Sequence, residues 1–425
     1  MSINRNTAPA AKVIDKAELI KPVSKKLDNG IPFFELKTGS QPVLRLEFIF
    51  EAGTKYQSKK LQASFTNSML TEGSEKLSAK EIADKLDFYG AFLQPETEND
   101  YANITLHCLS KTFTNVADTL AEIMLHPVFP QKELELQLQN ARQKYVVNTE
   151  KVDFLARKKF NEALFGSEHP YGRQADESDF LKLTPDDLKE FFKSFYDLSS
   201  LTIIASGNFD ENVFLQLNEL FGKQKINPGR NPLKISGQFP APGKYFVEKP
   251  NAIQCGIRVG KIMVTKTHPD FQPLQILNTA LGGYFGSRLM ANIREDKGYT
   301  YGIGSAVVSL SDTGYFFITT EAGADVCENT LKEIYFELDR LQNELMPDEE
   351  LHMVKNYMLG SFLRNSDGPF AMADRFKSLH FSDLDYTYYD RFLDTIRNTT
   401  PLEIRDLAIK YLNINSLTEV VAGKK

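Results

Sequence analysis

Cysteine is scarce in this chain: Cys108, Cys255 and Cys327 are the three present, far apart and odd in number. Such usage argues against a disulfide framework and against a cysteine-based metal site, and three buried small residues are expected instead. Excess positive charge is missing too. The 56 acidic residues outnumber the 50 basic ones, so nothing is left over to neutralise a nucleic-acid backbone or an anionic membrane surface, and neither is expected as a partner. Long apolar runs are also absent. The N-terminus, MSINRNTAPAAKVIDKAELIKPV, has no apolar core of the kind a secretory signal needs, and no later stretch is apolar over the length a bilayer requires. With Met1 as the native start, a cytoplasmic location is expected.

Catalytic motifs are the next absence. The six histidines, His107, His126, His169, His268, His352 and His380, include no two within five residues of each other. Two imidazoles therefore cannot share one helical face at i, i+4, which removes the commonest helical zinc-protease motif and its inversion. No G-x-S-x-G elbow and no phosphate loop of the G-x-x-x-x-G-K-[ST] kind occurs. The run from Leu281 through Gly282 and Gly283 to Gly286 follows a helix-periodic segment rather than a strand. That context points to a break between two helices, not to a dinucleotide loop. No catalytic residue, no metal and no cofactor are expected.

What the chain does have is a repeat. SLTIIASG at residues 200–207 returns as SLTEVVAG at residues 416–423, 216 residues later. Thr184-Pro185-Asp186-Asp187 and Thr400-Pro401-Leu402-Glu403 stand at the same offset, each an N-cap Thr, a Pro at the first helical position and an acid beyond it. Phe129-Pro130 and Met346-Pro347 each open a charged, helix-periodic stretch, 217 residues apart. Three matches at nearly one offset indicate duplication. Between the copies, residues 225–244 are rich in Pro and Gly, which is linker composition.

Each copy mixes strand and helix signals. Residues 43–51 (VLRLEFIFE) alternate, residues 101–109 are strand-like, and residues 315–320 (YFFITT) follow the turn Ser311-Asp312-Thr313-Gly314. Ser78 and Glu81 form a capping box for a helix running through Leu86, and Leu274, Leu277 and Leu281 share one helical face. An α+β fold follows: two homologous domains, residues 20–224 and 245–425, each a mainly antiparallel sheet with helices packed on one face.

Residues 282–305 (GGYFGSRLMANIREDKGYTYGIGS) form the most unusual segment. Leu289 and Ile293 mark the buried face of a short helix that carries Arg288 and Arg294, Gly298 ends it, and a strand begins near Tyr299. An Arg near a helix end can simply complement the helix dipole, and a Tyr in a strand can simply pack. The segment resembles, however, the second-domain signature of the insulinase/pitrilysin metallopeptidases, in their mitochondrial-processing-peptidase-like branch. The signature reads roughly G-G-x-x-S-S-R-L-x-x-x-I-R-E-x-x-G-L-x-Y, and Gly282, Gly283, Ser287, Arg288, Leu289, Ile293, Arg294, Glu295, Gly298 and Tyr301 occupy the matching places. The likeness extends from about Lys26 to the C-terminus.

The resemblance implies paired αβ domains, and in active members an inverted zinc motif, H-x-x-E-H, in the first of them. Here the surrounding phrase is kept, Ala52-Gly53-Thr54 and then Ala63-Ser64-Phe65-Thr66-Asn67-Ser68-Met69. Ser64 and Ser68 stand where the histidines would be and Asn67 where the catalytic Glu would be. Serine is a poor zinc ligand, and an amide cannot take a proton from water as a carboxylate does. An ungapped count puts the third ligand at Lys144 or Tyr145, neither of them a zinc ligand here. The resemblance further implies that Arg294 and Tyr301, with Arg288 as a secondary candidate, reach into a shared chamber and hydrogen-bond a peptide near its scissile carbonyl. The expectation is a zinc-free subunit that pairs with a homologous zinc-containing peptidase subunit. A structural or assembly protein of the same fold and a peptide-binding homodimer are the alternatives.

Overall fold

The computed structural model describes residues 18–227, 233–235 and 237–425; residues 228–232 and 236 of the expected linker lie outside them. The first half runs β1 (Val23–Lys26), β2 (Pro32–Lys37), β3 (Val43–Phe50), α1 (Gln62–Ser68), α2 (Ala79–Phe88), β4 (Phe92–Thr97), β5 (Ala102–Leu109), α3 (Phe113–Leu125), α4 (Gln131–Thr149), α5 (Val152–Phe165), α6 (Pro185–Phe195), β6 (Thr202–Gly207) and α7 (Asn212–Leu217). The second half runs β7 (Lys244–Glu248), β8 (Gln254–Met263), α8 (Phe271–Asn278), β9 (Thr300–Ser309), β10 (Gly314–Gly323), α9 (Cys327–Asn343), α10 (Asp348–Arg364), α11 (Gly368–His380), α12 (Thr387–Asn398), α13 (Pro401–Tyr411) and β11 (Thr418–Gly423).

Two sheets result, ordered β1-β2-β6-β3-β5-β4 and β7-β11-β8-β10-β9. All pairings are antiparallel except β2 with β6 and β7 with β11. The repeated phrases become the same element twice: SLTIIASG and SLTEVVAG supply β6 and β11. Thr184 and Thr400 each cap a helix in a complete capping box, with Pro at the start of α6 and α13.

The alternation of β3 is real, yet both of its faces are buried. Leu44, Leu46, Phe48 and Phe50 enter the main core of the first half. Arg45 and Glu47, on the other face, lie beneath α11 of the second half, where Arg45 donates to Asp374 (2.8 Å) and to the carbonyl of Phe370 (2.9 Å). Leu36, Ile49 and Ile204 pack there against Ala373 and Phe376 of α11. The arrangement is reciprocal. Helix α5 of the first half covers the far face of the second sheet, with Val152, Ala156 and Phe160 against Val420 and Ala422, and Arg258 of β8 donates to Asp153 at 3.1 Å. Helix α5 can lie this close because β8 carries glycines. A Cβ on Gly256 would sit 2.5 Å from the carbonyl oxygen of Val152, and one on Gly260 would sit 2.9 Å from the ring of Phe160. Each sheet is thus covered on one face by its own helices and on the other by a helix lent by its counterpart.

One expectation needs correction and another needs refinement. Cys255 and Cys327 are joined as a disulfide, with Cα atoms 6.2 Å apart, tying the start of β8 to the start of α9. The 72 residues between them hid the pairing. Disulfides belong mainly to oxidising compartments, so the bond weighs against the cytoplasmic expectation. Cys108 alone is free and buried, and burial pushes its thiol up to about 12. Among the described residues no helix is long and apolar enough to cross a membrane. A refinement concerns residues 290–296. The expected short helix is there, with Leu289 and Ile293 buried, but its turn is widened and π-type: the N–H of Lys297 reaches back five residues to the carbonyl of Asn292. Gly298 ends it with a left-handed φ of 65°, as its position suggested.

Candidate functional site

Ser64, Asn67 and Ser68 all sit on α1, and each side chain is already engaged. The Ser64 hydroxyl donates to the carbonyl of Leu61 at 3.0 Å. Asn67 is 1% exposed; its amide donates to the carbonyls of Glu96 (2.8 Å) and Asn103 (3.1 Å), so it braces β4 against β5. Ser68 donates to Oε1 of Gln137 on α4 at 3.0 Å, and Gln137 donates in turn to Glu72 at 2.9 Å. Burial raises the Glu72 carboxyl above its usual range, against the lowering effect of that hydrogen bond.

Gln137, not Tyr145, is therefore the α4 side chain that meets Ser68. Gln137 and Glu72 escaped the sequence reading because neither belongs to the motif. Tyr145 lies elsewhere on α4. Its ring packs against Phe154 and Phe180, and its hydroxyl accepts from the Lys158 ammonium at 2.7 Å. Lys144 is exposed.

These residues do not fit a zinc ion. The donors are two hydroxyls, an amide and a phenol, where zinc requires imidazole, thiolate or carboxylate. The Lys158 ammonium beside the phenol adds a fixed positive charge. Burial alone would lower its pKa, but its hydrogen bonds to Asp176 and Tyr145 outweigh that and raise it. Among the described residues, no group of three or more His, Cys, Asp and Glu is placed to hold a metal ion.

Ser64 and Lys158 line a cavity of about 360 Å³ between α1, α5 and the turn joining β9 to β10. That turn is tied to the first half by a buried polar cluster. Lys55 lies 2.9 Å from Asp100 and 3.5 Å from Asp312, the Tyr171 hydroxyl donates to Asp100 at 2.7 Å, and the N–H of Ser311 donates to the same carboxylate at 3.0 Å. Burial and the adjacent Asp100 push the Tyr171 phenol upward.

The second region lies in residues 282–305. Arg288, the secondary candidate, is buried and held in a two-point ion pair by Glu350 (2.7 and 3.0 Å), so its guanidinium is committed to the fold. Arg294 and Tyr301 differ. Both line an open groove of about 540 Å³ with Gln254, Gly298, Tyr299, Thr300 and Glu321. Arg294 Nε donates to the carbonyl of Tyr301 at 2.9 Å, and its guanidinium lies 4.7 Å from the centre of the exposed Phe285 ring. Tyr301 is 99% exposed. The register explains why: Thr320 pairs with Ile303 and Ala322 with Thr300, so β9 carries an extra residue at Tyr301 and Gly302. A β-bulge re-aims the side chain it carries, and widened helical turns and bulges gather at functional sites. Packing does not account for a tyrosine that touches so little of its own fold. No residue is shared between this groove and the cavity at Ser64.

Comparison with known proteins agrees with this architecture. Residues 38–173 match the model of the insulinase domain, peptidase family M16, and residues 182–358 match that of the peptidase M16 inactive domain. The chain belongs to the insulinase family. It is 23% identical to the uncharacterized zinc protease YmxG of Bacillus subtilis, over 73% of this chain and 76% of that one. An uncharacterized zinc protease of Streptomyces coelicolor is 22% identical over 85% of this chain and 80% of its own. Among solved structures, a protease from Helicobacter pylori superposes with a TM-score of 0.87 at 17% identity, covering 96% of this chain and all of its own. A peptidase M16 inactive domain from Pseudomonas fluorescens gives 0.84 at 22%, covering 96% and 99%. At these identities the structures speak for the fold alone.

Proposed function

We propose that this chain is a non-catalytic, peptide-positioning subunit of a heterodimeric insulinase-type peptidase, working beside a homologous subunit that carries the zinc. The observation that carries the reading is the chemistry at Ser64, Asn67 and Ser68. By the resemblance each stands at a place of the metal motif; none can grip a cation or accept a proton from water, and each is engaged in bonds that hold the fold. The partner's zinc would supply water activation. This chain would supply Arg294 and Tyr301, a cation and a phenol held on irregular backbone, to grip peptide carbonyls.

The test is reconstitution with a zinc-bearing homologous subunit and a peptide substrate. Arg294→Ala and Tyr301→Phe are expected to lower kcat/KM by about 10- to 100-fold, the scale of a lost hydrogen bond to a reacting carbonyl. Tyr301→Phe should leave stability within about 0.5 kcal/mol, since an exposed hydroxyl contributes little to folding. Undiminished turnover in both variants would count against the assignment.

A further inference from the structure

The cavity at Ser64 has the opposite electrostatics to a cation site. Lys60, Arg157, Lys158 and Arg173 all line it, and no carboxylate does. Asp176, at its margin, pairs with Lys158 and lies 3.2 Å from Lys60, while Asp179 lies 3.4 Å from Lys60 and is shared with Lys182. Those two carboxylates leave both arginines unmatched. Arg173 donates only to backbone carbonyls, those of Gln57 (3.1 Å) and Glu168 (3.3 Å). Exposed Arg157 rests over the ring of Phe154 at 5.6 Å. Among the described residues neither has a carboxylate partner. Two guanidiniums without counter-charge, in a partly enclosed cavity, form the arrangement that recognises a carboxylate through charge-assisted hydrogen bonds. The amides of Asn161 and Gln174 add donors, and Phe154 and Tyr315 add apolar wall, a mixture suited to a peptide segment rather than to a bare ion.

We propose that this cavity binds a carboxylate of a peptide and so serves as a pocket for acidic peptide segments. The proposal deepens the peptide-positioning reading by naming a substrate class, but its test needs no partner subunit. Binding measured on this chain alone and turnover measured in the reconstituted pair can fail independently.

Fluorescence anisotropy on the full-length chain would use a labelled peptide with an internal Glu-Asp pair, its Gln-Asn counterpart, and each with a free or an amidated C-terminus. The Glu-Asp peptide is expected to bind about tenfold more tightly than the Gln-Asn peptide at low salt, with the difference shrinking as salt is added. A preference that survives amidation assigns the pocket to side-chain carboxylates; one that follows the free terminus assigns it to the α-carboxylate. Either supports the proposal. Arg157→Glu and the pair Arg157→Gln with Arg173→Gln should each abolish the preference. Because Arg173 also ties a loop, the single change at exposed Arg157 keeps the test valid if the double variant misfolds. Equal binding of all four peptides, no binding of any by the folded chain, or a preference that survives Arg157→Glu would overturn the proposal. So would displacement by inorganic phosphate with no discrimination between the peptides, which marks a free-anion site.

Discussion

At the scale of single residues, α1 uses its polar side chains to hold the fold together. In a metal site those groups would be left free to face a cation. Here Asn67 is spent on two backbone carbonyls of neighbouring strands. Restoring the acid alone should therefore harm the protein without helping it. Asn67→Glu would press a buried carboxylate against the oxygens of Glu96 and Asn103, costing about 3–5 kcal/mol, the scale of an uncompensated buried charge. Chemical denaturation checks this, and a variant as stable as the parent would show that the site is more open than described. The Ser64, Asn67 and Ser68 substitutions were legible in the sequence because the phrase around them is intact. The chain from Ser68 through Gln137 to Glu72 was not, because a contact between helices far apart in sequence leaves no local trace.

At the scale of elements, the parts that the sequence announced most clearly are those whose determinants are local. The capping boxes at Thr184 and Thr400 and the glycine stop at Gly298 each depend on a few adjacent residues. The widened turn at residues 290–296 and the bulge at Tyr301 depend on how the helix meets the edge of the sheet, and no composition signals that. Asp187 offers a test at this scale. Burial would raise its pKa, but the Lys59 ammonium and the N–H and hydroxyl of Thr184 hold it below the usual carboxylate value. A carboxylate depressed in the folded state stabilises fully above its unfolded pKa and loses that contribution as pH falls through its folded pKa. Asp187→Asn is therefore expected to be less stable than the parent at about pH 6, with the gap closing toward about pH 3. Urea midpoints at the two pH values measure it, and a gap that widens in acid would contradict the assignment.

At the scale of the whole molecule, duplication has produced two halves that complete each other. Alternation in β3 and the repeat at 216 residues made the two-sheet architecture readable. The exchange of α5 and α11 was not readable, since an amphipathic helix carries no label for the sheet it will cover. Its energetic weight can be measured. Phe160 of α5 is fully buried against the second sheet, so Phe160→Ala should cost about 3–5 kcal/mol. Because that face belongs to the other half, the loss should appear in the melting of the whole chain as one transition rather than of the first half alone. A local, low-temperature transition confined to one half would contradict the interlock.

The account rests on the claim that the first half cannot hold and use zinc. The most direct measurement is the metal content of the purified chain after equilibration with zinc and removal of excess, together with its peptide hydrolysis in the absence of any partner. The account predicts zinc far below one per chain and no chelator-sensitive cleavage. Stoichiometric zinc accompanied by cleavage that a chelator abolishes would contradict it.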